Sequence, residues 1–348
     1  MIRRAQVVGT GLIGGSIGLA LKGGGWFVTG SDRDAGSAER ALALGAIDAV
    51  GEDPAAELTF VATPVGAVPA AARGRGGVVT DVGSVKAPIV AAVGNPSFVG
   101  GHPMAGSEQE GVDGSRADLF QGAVWVLTPV ASTDPAAHAL VRSVVSSFGA
   151  DVVELTPERH DALVAVVSHV PHLTAVSLMG IAAERSEEHA ALLRLAAGGF
   201  RDMTRIAAGH PGIWPDICIE NREAITEALD RLIDELTKMR DHVDRGEKPE
   251  LLAALTTARA ARLNLPGRVA AAADVVEIRV PVPDRPGVLA EITTLASELG
   301  VNIHDLEIAH SAEGQAGVVL LFVDGAVARR FQDGLAAHGY RSTAQGLE

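Results

Sequence analysis

Cysteine is nearly absent: one residue, Cys218, in 348. It cannot close an internal disulfide or build a thiolate metal cage, and its scarcity fits a reducing, cytoplasmic setting. Positive charge is scarce as well. Lys and Arg number 29 against 43 Asp and Glu, a formal net charge of -14. That balance argues against a nucleic-acid or anionic-membrane surface, while leaving room for a local basic pocket. No internal repeat or low-complexity tract is evident. The opening, MIRRAQVVGTGLIGG, has the basic start and apolar run of a signal peptide. Glycines break the run, however, it is too short to span a membrane, and no convincing cleavage site follows. It reads as a first strand entering a turn.

What is present is a globular composition, 47% hydrophobic and 21% charged, on a chain long enough for two or three domains. Over residues 1–154, short β-rich runs (AQVVG, WFVTGSD, LTFVATP, GGVVTDVGS, SFVGG, GAVWVLTP, ADVVEL) alternate with helical stretches. This α/β alternation predicts a mostly parallel sheet covered by helices. Residues 155–268 lose the β pattern and read as all-helical. One stretch there, PERHDALVAVVSHVPHLTAVSLMGIAAE, is apolar almost all round, so burial on every side is expected. The same segment of a second subunit is the expected cover, which predicts a homodimer. After a loose stretch, LPGRVAAAAD, residues 274–348 follow a βαββαβ order, as in a small ferredoxin-like unit.

The first strand runs into GTGLIG, with Gly9, Gly11 and Gly14 in G-x-G-x-x-G spacing, and the motif opens a helix read at SIGLALK. In that context it is a Rossmann-type dinucleotide fingerprint. Gly9 serves the tight turn, Gly11 the close approach of backbone to pyrophosphate, and Gly14 the packing of helix on strand. Leu12 and Ile13 lie within the same loop. Asp32, ending the second strand at the expected distance, is placed to bond the adenosine ribose and to repel a 2′-phosphate. NAD is therefore expected over NADP, although Arg33 next door is able to swing toward a phosphate.

In such doubly wound sheets, ligands bind beyond the carboxyl ends of the strands. Thr63 and Pro64, then Asp81 to Ser84, then Gly100 to His102 are further strand ends expected at one crevice. The stretch GGHPMAGSE packs small residues around His102, so topology alone places an imidazole beside the nicotinamide. Oxidation of an alcohol needs such a proton acceptor. Ser84 either reaches the same site or caps a helix expected to begin at Val85. His169 and His172, three apart in SHVPH, share one helical face. Zinc is discounted there, because no carboxylate or cysteine has suitable spacing.

In this order, GTGLIGGS, VATPV, DVGSVK, GGHPMAGSE, VVSHVPH and GGFRDMTRIA resemble the prephenate dehydrogenase family across residues 1–265. PVPDRPGVLAEITTLASELGVNI resembles an ACT domain, an amino-acid-sensing module. The resemblance implies oxidative decarboxylation of prephenate to 4-hydroxyphenylpyruvate with NAD, in tyrosine biosynthesis. It implies His102 as the base for the ring hydroxyl, Ser84 as a bond to that hydroxyl, and His169 as a pocket residue. Arg205 would anchor a substrate carboxylate, and Glu108 and Asp202 would lie near the pocket entrance, unless they are plain surface acids. Trp214 packs near the pocket or in the core, and His172 reads equally well as a core histidine.

In the last segment, Gly287 in DRPGVL opens a helix, and Asn302 begins the next strand. The resemblance implies an amino-acid effector there, with tyrosine as the expected inhibitor; a purely assembling module is the alternative. Three other readings stay open. An arogenate dehydrogenase would share every motif. A 3-hydroxyacid dehydrogenase of the same build is disfavoured, because that group uses a catalytic lysine where SHVPH offers histidines. A non-catalytic sensor of dinucleotide and amino acid is compatible with the fold alone.

Overall fold

A computed structural model describes residues 2–106, 109, 111–188, 195–264, 275–283, 285–310 and 316–346. The chain divides into two compact units, Met1–Ser177 with Ile206–Thr237, and Leu178–Arg205 with Lys238–Glu348.

The first unit is built on an eight-stranded sheet: β1 (Arg4–Val8), β2 (Phe27–Ser31), β3 (Ala49–Val50), β4 (Leu58–Val61), β5 (Val78–Asp81), β6 (Phe98–Pro103), β7 (Val124–Thr128) and β8 (Asp151–Glu154). Their order is β3-β2-β1-β4-β5-β6-β7-β8. The first six strands run parallel, β7 pairs antiparallel with β6, and β8 returns parallel to β7. Seven strands fall on the runs read from the sequence; β3, two residues long, carried too short a pattern to be seen. All four residues of β4, LTFV, are buried, as expected for a strand with both faces covered. The helices are α1 (Leu12–Gly23), α2 (Ala35–Ala43), α3 (Val68–Ala72), α4 (Ala87–Val93) and α5 (Pro135–Ser147). One core joins β1, β2 and β4 to α1 through Val7, Ile17, Leu21, Val28 and Phe60.

Two local expectations need correction. Helix α1 starts at Leu12, inside the glycine motif, with Gly11 as its N-cap. Helix α4 starts at Ala87, not Val85, and Ser84 does not cap it. Its first N–H groups are taken by Asp161, 75 positions away in sequence, at 2.7 Å. A cap donated from so far along the chain leaves no local signature, so the nearest serine was the natural misreading.

The helical segment begins with α6 (Pro157–Val164), passes through a π-helical turn at Ala165–His169, and continues as α7 (Val170–Glu188). By length and composition, Pro157–Arg185 would suffice to cross a membrane. It carries buried His160, Asp161, His169 and His172 instead, and their bonds to neighbouring elements mark it as a packed helix. Burial on every side does not hold within one chain: Val166, Val167 and Ile181 are 57%, 66% and 58% exposed. Then follow α8 (Gly198–Thr204), α9 (Trp214–Glu220), α10 (Arg222–Arg245) and α11 (Lys248–Leu263). The stretch LPGRVAAAAD lies outside the described residues.

In the second unit, β9 (Val275–Pro283), α12 (Val288–Glu298), β10 (Ile303–His310), β11 (Ala316–Asp324), α13 (Gly325–Ala337) and β12 (Thr343–Gly346) reproduce the expected βαββαβ order. The sheet is antiparallel, in the order β10-β11-β9-β12. Ile278, Val280, Ile292, Leu321, Phe331 and Leu335 form its closed core.

Candidate active site

The strand order reverses between β1 and β4, and the carboxyl ends of β1, β4, β5 and β6 share one edge of the sheet because these strands are parallel. Gly9 sits in that crevice with φ +91°, and a Cβ there would lie 2.4 Å from Ala62 O. A Cβ on Gly14 would lie 1.8 Å from Gly9 O, so α1 approaches β1 as closely as backbone permits. Gly11 is different. Its Cβ would meet nothing within 4 Å among the described residues, which leaves open space between them at the positive end of α1. Asp32 Oδ2 accepts from Thr10 N at 2.7 Å, so the acid is held at the mouth of the loop. Thr63 Oγ1, after β4, is buried without a hydrogen-bond partner among the described residues. An orphaned hydroxyl beside an open glycine cradle is what a bound dinucleotide would complete. Pro64 next to it is exposed, and Leu12 and Ile13 are half-buried.

His102 lies near the end of β6, 9% exposed. The backbone just before it is clamped. Asp81 accepts from Gly101 N at 3.1 Å and Gly83 N at 2.8 Å, while Lys86 Nζ donates to Gly101 O at 2.8 Å. Lys86 and Asp81 form a fully buried ion pair. Burial pulls the Lys86 ammonium below its usual value, and the Asp81 charge opposes that pull.

The His102 side chain enters a second network. Its Nδ1 is 2.8 Å from His160 Nε2, and His160 Nδ1 is 2.7 Å from Asp161 Oδ1. Asp161 also accepts from Lys86 N at 2.7 Å and Ala87 N at 2.8 Å. Burial pushes the His102 imidazole well below its ordinary value, with His160, Lys86 and His169 adding to the effect. At neutral pH the ring is uncharged and able to take a proton.

His169 closes the π turn and is 1% exposed. Asn221, beginning just after α9, points its amide nitrogen at Asp161 O (3.0 Å) and at His169 Nδ1 (3.2 Å). A backbone carbonyl only accepts, so this group is the NH2, and His169 Nδ1 must therefore be an acceptor. The ring proton then sits on Nε2, which is buried without a partner among the described residues. Burial holds His169 at about 4. His172 stacks on Trp214 with ring centroids 3.5 Å apart, and the His169 ring meets the same indole edge-on. Neutral His169 thus offers an unmet donor, while His172 serves packing.

Family models of the prephenate dehydrogenase nucleotide-binding domain and dimerization domain match residues 17–154 and 156–257, and an ACT domain model matches 276–332. A prephenate dehydrogenase of Bacillus subtilis is 36% identical over 333 residues, 90% of each chain. The chain belongs to the prephenate dehydrogenase family. It is an oxidoreductase of that family with a nucleotide-binding domain. The crystal structure of prephenate dehydrogenase from A. aeolicus, in complex with hydroxyphenyl propionate and NAD+, matches with a TM-score of 0.72 and 31% identity, over 76% of this chain and 99% of that one. The Synechocystis arogenate dehydrogenase matches with a TM-score of 0.64 and 30% identity, over 74% and 98%.

Of the other residues expected from the prephenate dehydrogenase resemblance, Ser84 lies half-buried between β5 and α4, two residues from Lys86. Asp202 on α8 and Arg205 directly after it belong to the second unit, and both are exposed. Glu108 lies outside the described residues. In the ACT domain, Gly287 is the N-cap of α12 with φ +94°. It helps line a cavity of about 300 Å³ with Val282, Arg285, Val288, Gly317 and Val319. Asn302 is not among that lining; its amide faces His304 Nδ1 at 3.3 Å. Sequence reasoning missed His160, Asp161, Asn221 and Lys86. The adjacent His and Asp in PERHD were the one available signal, and the 58 positions between His160 and His102 hid their meeting.

Proposed function

We propose that this chain is an NAD-dependent prephenate dehydrogenase that forms 4-hydroxyphenylpyruvate and carbon dioxide. The carrying observation is a buried, neutral His102 on the same sheet edge as an open dinucleotide cradle. The Gly9–Gly14 loop would hold the pyrophosphate, Asp32 the ribose, and Thr63 and Pro64 the near side of the nicotinamide half. When bound, NAD supplies a hydride acceptor. His102 takes the proton of the ring C4 hydroxyl, and Ser84 bonds the same oxygen. His169 offers its Nε2 proton to the substrate. By the family resemblance, Arg205 would anchor a carboxylate through a bidentate fork, and Asp202 and Glu108 would serve the entrance. Loss of the ring carboxylate restores aromaticity and drives the step, so the protein needs mainly to position and polarise.

Three domains at 1–154, 155–268 and 274–348 carry this activity in a cytoplasmic homodimer, with tyrosine binding around Gly287 and Asn302 as a feedback inhibitor. The likeness to an arogenate dehydrogenase supports one second reading, in which the substrate carries an amino group in place of the side-chain keto oxygen. Release of NADH, followed by its near-ultraviolet absorbance, tests both. Prephenate should give the higher kcat/KM, and NAD should outperform NADP. A preference for arogenate selects the second reading, and no NADH from either substrate would leave a dinucleotide-binding sensor. His102→Asn should lower kcat about 10²- to 10⁴-fold while NAD still binds. Ordinary turnover in that variant removes His102 as the base.

A further inference from the structure

We propose that His160, backed by Asp161, is a positioning residue that fixes the tautomer of His102 and so presents its Nε2 as the proton acceptor. The proposal rests on the reading of His102 as the base. It follows from donor and acceptor counting along one buried chain. Both Asp161 oxygens already accept backbone N–H groups, Oδ1 from Lys86 and Oδ2 from Ala87, so His160 Nδ1, 2.7 Å from Oδ1, is the donor of that bond. With its ring proton given to Asp161 through Nδ1, His160 presents Nε2 as an acceptor. That nitrogen faces His102 Nδ1 at 2.8 Å and must accept from it. His102 therefore carries its proton on Nδ1, and Nε2 keeps its lone pair.

The opposite tautomer would set two lone pairs against each other 2.8 Å apart, in a place without water to intervene, since His160 is fully buried and Asp161 nearly so. Asp161 is itself immobilised, because it caps α4 and its main-chain oxygen accepts from Asn221. In the reaction, the substrate O–H bond breaks and an N–H bond forms at His102 Nε2; the oxygen keeps the electron pair, which would become the C4–O π bond as the C4–H bond breaks and its hydride leaves for the nicotinamide acceptor. The imidazolium so made still donates through Nδ1 to His160, whose own bond to Asp161 spreads the charge toward a carboxylate. The His160 side chain bonds only His102 and Asp161 among the described residues. Both His160 and Asp161 act through His102.

Nitrogen-15 spectra of histidine-labelled, unaltered enzyme test the tautomer directly. The expected pattern for His102 is a protonated Nδ1 and a bare Nε2; a proton on Nε2 overturns the proposal whatever any variant does. In His160→Leu, kcat should fall about 10²-fold, with KM for prephenate and the Kd of NAD within about threefold, because orientation of the base is lost and binding is not. His160→Gln, whose amide offers an acceptor and a donor on one group, should recover most of that loss. Folded His160→Leu with full kcat overturns the proposal, as does failure of His160→Gln to improve on it. If His160→Leu does not fold, the labelled wild-type spectrum decides alone. Loss of turnover in His102→Asn beside full turnover in His160→Leu rejects the relay and keeps the base. Full turnover in both rejects the base itself.

Discussion

Single imidazoles make the sharpest solution test. Burial holds His169 at about 4, below the ordinary 6.5, and pushes His102 down as well. A histidine whose folded value lies below its free value binds more protons when unfolded. Its contribution to stability is therefore complete above about 6.5 and is lost as pH falls toward about 4. The unfolding midpoint in urea should drop across that window, and His169→Gln should drop less, by up to one proton's worth of slope. An equal slope in both proteins would mean that His169 is charged in the folded state. Arg205 answers a different measurement. If it anchors a carboxylate that does not react, Arg205→Ala should raise KM about tenfold or more and leave kcat nearly unchanged. The sequence made His102 legible because small residues and a strand end surround it. His160 was not, since its meeting with His102 joins two elements 58 positions apart.

At the scale of the element, the glycine loop separates two demands that the motif writes in the same letter. Gly14 is set by the protein alone, since any Cβ there strikes the Gly9 carbonyl. Gly14→Ala should cost about 3 kcal/mol in urea unfolding, an overpacking cost against rigid backbone. Gly11 has open space among the described residues, so Gly11→Val should change stability by less than about 1 kcal/mol while weakening NAD binding at least tenfold. Equal effects on stability and affinity would show the cradle to be a packing feature only. Helix α4 shows the same division between local and distant causes. Its turn residues are visible in DVGSVK, but its cap comes from Asp161 in α6. Asp161→Ala should cost on the order of 2 kcal/mol for two uncapped N–H groups, and a further loss of turnover if the relay holds.

At the scale of the molecule, apolar surface is left over. Ile233, Leu236 and Val243 lie along α10 at 57%, 57% and 64% exposed, spaced three and seven apart on one stripe. Such a stripe is costly in water and is the usual mark of a subunit contact. Leu236→Asp should shift the assembly to monomer in sedimentation velocity; an unchanged mass would place the contact elsewhere. The ACT domain, with a closed core of its own, permits a second test. Truncation after residue 270 should preserve turnover and abolish inhibition by tyrosine, and equal inhibition of the shortened chain would put tyrosine at the catalytic site.

The sequence by itself determined the order of the elements, the family and the glycine turn between β1 and α1, because each is written within a few consecutive residues whose spacing follows strand, turn or helix geometry. Tertiary structure alone decided what meets what. His160 against His102, Asp161 on the start of α4, Asn221 between Asp161 and His169, and Lys86 under Gly101 all join residues from separate elements. Their chemistry is that of buried polar groups obliged to find partners, and such an obligation is met in space, where linear spacing carries no record of it.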